Sequence, residues 1–387
     1  MNVPRHFAAL LLSAGCILVS TNAVAAACSD ESQVQNAEPC FTGRDVFLDN
    51  DVLLLNKVRN EDRNYTMGIS YQSRGRWIVE RGLSRPLEWM NSLPGLSSLR
   101  PDLGNQSFTG HAFEVGVAAF TPDRLELFEP IPDDRPYASL LFFDIGDQTV
   151  SQNGRHAFST ELSLGVLGLD IAKGFQRWLH HQLQDFPGDT PRTPEGWSNQ
   201  ISDGGEPTFR YTARWQEALA CKKFGDAQWI AETNLGYHTN LGSGVAVRLG
   251  KTASPWWGLK AMPISQSGFR SSAVVVNREN ECLPREIGRF EFYGWGGAMA
   301  RLWAYNALLQ GQFRHSEVTV DSDNLKRLVY DYEFGVTAGV RAGRGWHHLT
   351  AAYARRSPEF GGPLRRYHSW SGIYYSYTIP LRNSPTD

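Results

Sequence analysis

Polar side chains of several kinds cluster around one predicted hairpin near the N-terminus. Asn50-Asp51 ends a short strand-like run, and the next run opens after Asp62 with Tyr65 and Thr66. Carboxylate and amide oxygens can bind a hard cation, and a hydroxyl can orient a substrate or a water molecule. Taken singly, Asn50-Asp51 is most often a turn cap. The combination instead favours a candidate active site.

Two further groups of residues are expected near this hairpin. The segment Ile171–Leu183 is the one convincing helical stretch and carries His180 and His181, and Asp134-Arg135 precedes a proline. A neutral histidine can take a proton from water. The chain has no Gly-x-Ser-x-Gly serine elbow, so a water nucleophile is preferred to an acyl-enzyme. The simpler alternatives are a solvated helix face and a surface ion pair in a turn.

The first residues predict export from the cytoplasm. Arg5 precedes an apolar stretch from 7 to 19, and Ala23-Val24-Ala25 has the small residues that a signal peptidase recognises. We therefore interpret 1–25 as a signal peptide, followed by an N-terminal segment at 26–43. Four cysteines follow the signal and show no CxxC spacing, which favours structural disulfides. Cys28 and Cys40 are close enough to pair, which leaves Cys221 with Cys282.

Composition narrows the class of protein. The formal net charge is −2 without long runs of one sign, so nucleic-acid binding is not expected. Past the signal peptide no apolar stretch approaches the ~20 residues that a membrane helix needs. An exported chain with 37 glycines and many aromatic residues is therefore expected in the periplasm, outside the cell or in the outer membrane.

Period-two alternation favours the outer membrane. From 330 to 340, Tyr, Phe, Val and Ala alternate with Asp, Glu, Gly and Thr, and the segments 113–119 and 158–166 alternate similarly. A soluble sandwich would also alternate, but Glu and Gly on the minority face suit a narrow polar lumen, and aromatic residues near the strand ends suit a membrane girdle.

The alternating runs predict an all-β fold: a closed antiparallel transmembrane β-barrel over residues 44–381 with about twelve strands. The predicted strands are 44–52, 64–73, 109–121, 134–147, 155–168, 206–219, 226–238, 242–251, 288–301, 329–343, 345–357 and 368–380. With both termini in the periplasm, the predicted outer loops are 53–63, 121–133, 169–205, 239–241, 302–328 and 358–367. Cys221 and Cys282 then share the periplasmic side, and 83–108 is a long periplasmic connection. The loop 169–205 is the helix-bearing extracellular loop.

A series of short motifs resembles one known family, the outer-membrane lipid A 3'-O-deacylases of the LpxR type. The similar residues span 44 to 380, nearly the whole mature chain, and are specific as a series rather than singly. They are Asn50-Asp51, Asp62 to Gly68, Asp134 to Ala138, Leu164 to Gly168, Gln176 with His180, Gly196-Trp197 with Gln200, and Ser357 to Phe360.

The resemblance implies an outer-membrane, calcium-dependent ester hydrolase that removes the 3'-linked acyloxyacyl chain of lipid A, with lipopolysaccharide of the outer leaflet as its partner. It implies His180 as the base, with His181 the lesser candidate. The remaining implied roles are catalytic for Asn50, Asp51 and Thr66, metal-binding for Asn50 and Asp51, and substrate-binding for Tyr65, Arg124, Arg135 and Gln176. Arg124 stands in a loop where some members carry a lysine.

Two alternative functions remain open at this stage. The first is a non-enzymatic porin or adhesin, although a helix-bearing loop over the rim is not needed in a porin. The second is an outer-membrane phospholipase with a Ser-His pair, for which Ser159 and Ser163 have no histidine at an obvious spacing.

Overall fold

The structure, a computed structural model, describes residues 38–50, 64–101, 103, 106–132, 134–171, 173–174, 194–259, 282 and 288–379. Within these ranges twelve antiparallel strands form one closed barrel, in which sequence neighbours pair and β1 closes against β12. The predicted twelve-stranded barrel is therefore confirmed. The strands are β1 Gly43–Asn50, β2 Asn64–Arg74, β3 Gln106–Thr121, β4 Ala138–Ser151, β5 His156–Leu167, β6 Glu206–Lys222, β7 Gly225–Gly236, β8 His238–Lys251, β9 Phe290–Asn306, β10 Leu328–Ala342, β11 Gly345–Arg356 and β12 His368–Thr378.

Helices are short in the described part of the chain. The β2–β3 connection contains α1 (Trp77–Glu80) and α2 (Arg85–Ser92), and α3 (Ala307–Gln310) follows β9. Pro86 lies in the first turn of α2, where its fixed φ suits a helix start and its missing N–H is not needed. Among the described helices, none is long and apolar enough to cross a membrane.

The alternation predicted from the sequence defines the two faces of the wall. In β10, Tyr332, Phe334 and Val336 are about half exposed, whereas Asp331 and Glu333 between them are buried. Apolar side chains that are exposed on a barrel exterior face lipid, and the intervening side chains face the lumen. The predicted division of β10 into an apolar and a polar face is confirmed.

A continuous series of ion pairs occupies the lumen, and we call it the lumen charge chain. Asp331 of β10 lies between Arg356 of β11 at 2.6 Å and Arg301 of β9 at 2.9 Å. Arg301 then contacts Glu232 of β7 at 2.6 Å, and Glu232 also pairs with Arg214 of β6. Buried charges are tolerated only when they are paired. These pairs therefore fix side chains of five strands, β6, β7 and β9 to β11, inside the barrel.

An apolar cluster and a folded connection occupy the lumen nearer to the chain termini, at the end that the sequence analysis assigns to the periplasm. One buried cluster lies across the inside of the barrel and consists of Phe47, Ile230, Ala246, Leu259, Tyr293, Trp295, Met299, Ala352 and Tyr374. Below it, Gln216 and Gln228 donate hydrogen bonds to the carbonyls of Trp257 and Trp256, both at 3.3 Å. The start of the β8–β9 connection is thus held under the barrel.

One of the two predicted disulfides is confirmed. Cys221 at the end of β6 is bonded to Cys282 in the β8–β9 connection, so the two cysteines lie at the same end of the barrel as strand parity predicted. The bond packs against the Trp256–Trp257 pair. Cys40 is also disulfide-bonded, and its predicted partner Cys28 lies outside the described residues.

Several predicted strand boundaries were wrong: β3 begins at Gln106 rather than 109, β9 ends at Asn306 rather than 301, and two further differences change the loops between strands. The fourth strand begins at Ala138 rather than 134, because the Asp134 carboxylate accepts hydrogen bonds from the backbone N–H groups of Asp123 and Arg135 and holds this stretch as a loop. The predicted loop 239–241 belongs to β8, and only Tyr237 separates β7 from β8. Gly236 makes this reversal possible with φ +129°, and any Cβ there would lie 2.1 Å from the Phe209 carbonyl oxygen.

Candidate active site

The predicted site residues Asn50 and Thr66 lie at the outer ends of β1 and β2. Asn50 pairs in register with Met67 of β2 and Ser371 of β12, whereas its neighbour Asp49 is on the lumen face with Tyr65. Successive side chains of a strand point to opposite faces. Asn50 is therefore on the exterior of the barrel and not in the lumen.

A β-bulge at Thr66 divides the hairpin motif between the two faces. The β2–β3 register shifts between Tyr65, which pairs with Phe120, and Met67, which pairs with Ala119. Thr66 is the extra residue, and its Oγ1 lies 2.6 Å from Oγ1 of Thr121. Bulges commonly redirect a side chain next to functional sites. Here the bulge holds the Thr66 hydroxyl beside that of Thr121.

Two outer loops cover this part of the exterior wall. Met67 and Ala119 are buried there against three loop residues, and we call the five together the outer-wall cluster: Met67, Ala119, Leu125, Tyr137 and Trp197. The Tyr137 ring lies 4.8 Å from the Trp197 ring, and its hydroxyl donates to the Leu125 carbonyl at 3.1 Å. A Cβ at Gly196 would lie 2.6 Å from the Tyr137 ring, so the Gly196-Trp197 motif permits this close packing.

The polar groups near this cluster are unusual for a lipid-facing wall. The exterior side chains of Leu241 and Leu249 are 60% and 67% exposed, but Asn50, Thr66 and Thr121 are all buried. Ser371 of β12 is 1% exposed, and its hydroxyl has no hydrogen-bond partner among the described residues.

The sequence interpretation missed Thr121 and Ser371 as candidate site residues. For Ser371 the signal was the alternation of β12. Ile373, Tyr375 and Tyr377 face the exterior, and Ser369 and Ser371 continue the same every-second-residue series. A polar residue in the apolar phase near a strand end could have identified them.

Tyr65 and Arg135 lie on the lumen side, away from this wall. The Tyr65 hydroxyl donates to Asp49 at 3.2 Å, and its ring lies 5.3 Å from that of Trp370. The Arg135 guanidinium lies 3.0 Å from the Glu359 carboxylate and 4.7 Å from the centre of the Phe120 ring. Substrate binding by these two residues stays a prediction, and their contacts are those of packing and ion pairing.

Arg135 extends the lumen charge chain to the outer loops. Glu359 also lies 3.3 Å from Arg356, so the chain runs from the β3–β4 loop into the barrel. Burial lowers the pKa of Arg135, and the adjacent Glu359 opposes that effect. Asp134 binds Arg366 at 2.6 Å in the same region. Two of the motifs identified in the sequence, 134–138 and 357–360, are therefore in contact through the Arg135–Glu359 ion pair.

Arg124 is placed differently from Arg135 although both belong to the β3–β4 loop. Its side chain is exposed and follows Thr121 by three residues, directly before Leu125 of the outer-wall cluster. An exposed guanidinium at this point can contact an anionic group that approaches the wall. This placement is compatible with its predicted substrate contact.

Three predicted site residues, Asp51, Gln176 and His180, lie outside the described residues. The helix predicted from Ile171 does begin there, since the Gly174 N–H donates to the Asp170 carbonyl at 3.1 Å.

The donor atoms at the wall are chemically suited to calcium, although the described residues contain no cluster of three acidic, histidine or cysteine side chains that could hold a metal. Asn50 supplies an amide oxygen, and the unpartnered Ser371 hydroxyl lies on the register partner of Asn50. Calcium prefers such hard oxygen donors together with carboxylates.

Comparison with known proteins identifies one family from the sequence and a similar fold among solved structures. The sequence profile of the family described as "Outer membrane protein LpxR" matches residues 10–379. The solved structure "LpxR from Salmonella typhimurium" is similar with a TM-score of 0.60 at 15% identity, covering 87% of this chain and 100% of that one. The β domain of the Bordetella autotransporter BrkA has a TM-score of 0.40 at 11% identity, covering 89% and 100%. No curated protein sequence matches the chain.

The two arginines of the β3–β4 loop should affect stability differently. Arg135→Ala leaves Glu359 buried without one of its partners, and we expect a loss of about 3 kcal/mol in the free energy of unfolding. Arg124→Ala removes an exposed side chain and should change this free energy by less than ~0.5 kcal/mol. Denaturant titration of the two variants in detergent measures both values. Equal losses would contradict the placement of Arg135 in the charge chain.

Proposed function

Because the chain belongs to the LpxR family of outer membrane proteins, we propose that it is a lipid A deacylase. In this proposal it hydrolyses the ester of the 3'-linked acyloxyacyl chain of lipid A in the outer leaflet, with calcium as cofactor. Asn50, Asp51, Thr66 and His180 are the proposed catalytic residues.

One observation carries the proposal: buried polar side chains on the exterior of the barrel near its outer end. Asn50, Thr66 and Ser371 occupy positions that lipid would otherwise contact. A lipid ester that reaches the wall from within the leaflet would approach these groups from the exterior side of the barrel. A substrate in the lumen would instead meet the charge chain. The placement therefore suits a substrate that stays in the membrane.

The proposed reaction divides its tasks among these residues. His180 takes a proton from water, whose oxygen attacks the ester carbonyl carbon. The bond from that carbon to the 3'-oxygen then breaks, and the proton is returned to this oxygen, which leaves a fatty acid and a free 3'-hydroxyl. Thr66, whose Oγ1 is held by Thr121, orients the water or the substrate.

Calcium fits the oxygen donors of this wall. Asn50 and Asp51 are the proposed ligands, and the Ser371 hydroxyl is a further oxygen on the same face. When bound, the cation would polarise the carbonyl and stabilise the oxyanion. Arg124, exposed beside the wall, is the proposed contact for an anionic group of the lipid A headgroup.

The alternative functions have less support. A porin requires an open lumen, whereas charged and aromatic side chains occupy the lumen of this barrel. In the phospholipase alternative, Ser163 would need a histidine, but its hydroxyl lies 3.4 Å from that of Tyr237 on the lumen side.

Calcium removal should abolish the proposed activity without unfolding the barrel. Purified protein mixed with lipid A and calcium should yield lipid A that lacks the 3'-linked chain, measured by mass spectrometry. Chelation should lower the rate by at least ~10²-fold, because it removes the charge that stabilises the oxyanion. Heat-modifiable migration on gels serves as the control for folding. No release from any lipid A in the presence of calcium would refute the proposed function.

The two adjacent histidines should differ in their effect on rate. His180→Ala should lower deacylation by at least ~10²-fold, the usual lower contribution of a positioned base. His181→Ala, its matched control, should have a much smaller effect. Initial rates on the same lipid A, with both variants folded, provide the comparison. A His180→Ala enzyme at nearly wild-type rate would show that another group is the base.

A further inference from the structure

The β2–β3 connection packs on the outside of the barrel. We call residues 75–101 the periplasmic arm, which includes α1 and α2. Leu87 of α2 is 2% exposed and packs against Phe158, Leu162 and Tyr211. On the opposite face of β5 and β6, Glu161 and Arg210 form a buried pair at 2.9 Å. Since alternate side chains face opposite sides, the arm covers the exterior of β4–β6 in their periplasmic half.

Hydrogen bonds hold the arm to this exterior wall. The Asn91 amide donates to the Thr160 hydroxyl at 3.0 Å and accepts from the Tyr211 hydroxyl at 2.8 Å. Arg100 lies 3.5 Å from Asp147, a carboxylate on the exterior side of β4. An acidic side chain facing lipid is costly, and the arm shields it. The arm is therefore a fixed part of the wall where lipid would otherwise lie.

The side of the arm that faces away from the barrel combines apolar and basic residues. Trp89 is 62% exposed, and Leu99 is 40% exposed. Arg81 and Arg85 are exposed beside them, and Arg85 precedes Trp89 by one helical turn. Of the four arginines of the arm, Arg76 pairs with Glu80 and Arg100 with Asp147, and Arg81 and Arg85 are exposed together with one carboxylate, Glu88. This combination is typical of segments that lie in a membrane interface.

The exposed side of the arm continues the lipid-facing surface of the same strands. Nearer to the outer end, Phe143, Leu164 and Phe209 point outwards from β4, β5 and β6 and are 41–49% exposed. The arm occupies the next zone towards the periplasm. Tryptophan is enriched at this boundary of a bilayer, and arginine is attracted to anionic headgroups.

We propose that the periplasmic arm is an interfacial anchor that binds the phospholipids of the inner leaflet. Trp89 lies at the boundary between headgroups and acyl chains, and Arg81 and Arg85 contact the phosphates of anionic phospholipids. The anchor fixes the depth and the tilt of the barrel in the membrane. It depends on the fold alone and is independent of the proposed deacylase activity.

Fluorescence quenching of Trp89 in vesicles tests the anchor. The full-length protein and its Trp89→Phe variant are reconstituted into phosphatidylglycerol vesicles, and the difference between their spectra isolates the Trp89 signal. We expect phospholipid brominated near the headgroup end of its acyl chains to quench this signal strongly, and aqueous iodide to quench it weakly. Trp256→Phe is the matched control, because Trp256 is 2% exposed on the same side of the barrel and neither quencher should reach it.

The basic residues are tested in the same vesicles. Arg81→Gln and Arg85→Gln should each raise the ratio of iodide quenching to bromolipid quenching of Trp89 about 5-fold, because a barrel with a weaker anchor holds Trp89 less deeply in the bilayer. Phosphatidylcholine vesicles should reduce this charge effect. Quenching of Trp89 by iodide alone would place the arm in water and overturn the proposal. Protection from both quenchers would show that protein, such as a second copy of the chain, covers Trp89, and would also overturn it.

Discussion

The pairing of buried charges inside the barrel is the constraint on which the rest of the structure depends. The lumen charge chain alternates in sign from the β3–β4 loop to the far wall, and its members are Arg135, Glu359, Arg356, Asp331, Arg301, Glu232 and Arg214. Loss of any inner member leaves a buried neighbour without one of its opposite charges. The outer loops are thereby joined to the strands, and the wall beneath them has a fixed shape.

In this wall, residues that are adjacent in the sequence lie on opposite faces of the barrel. Asp49 and Tyr65 bind each other in the lumen, while Asn50 and Thr66, one position further along each strand, lie outside. The bulge at Thr66 places Tyr65 and Thr66 on opposite faces. Tyr137 and Trp197 pack on each other and on Met67 and Ala119 of the same exterior wall. The proposed site is thus built on rigid strands rather than on loops alone.

Local periodicity predicted the fold well because it depends on residues two positions apart. The faces of β10 and the Cys221–Cys282 bond followed from alternation and strand parity. Interactions between residues that are distant in the sequence could not be predicted from this alternation. Asp134 lies in a loop because its carboxylate accepts a hydrogen bond from the Asp123 N–H. Arg135 is buried in an ion pair with Glu359. The periplasmic arm packs on Phe158. The exterior placement of Thr66 required the bulge, which the sequence does not mark.

The central claim is that lipid A is hydrolysed at the exterior wall, and two adjacent residues test it most directly. Release of the 3'-linked chain should be compared by mass spectrometry for Asn50→Ala, on the exterior, and Asp49→Asn, in the lumen. The account predicts a loss of at least ~10²-fold for Asn50→Ala and a rate within a few fold of wild type for Asp49→Asn, with both barrels folded. The reverse pattern would place the reaction in the lumen and contradict the account.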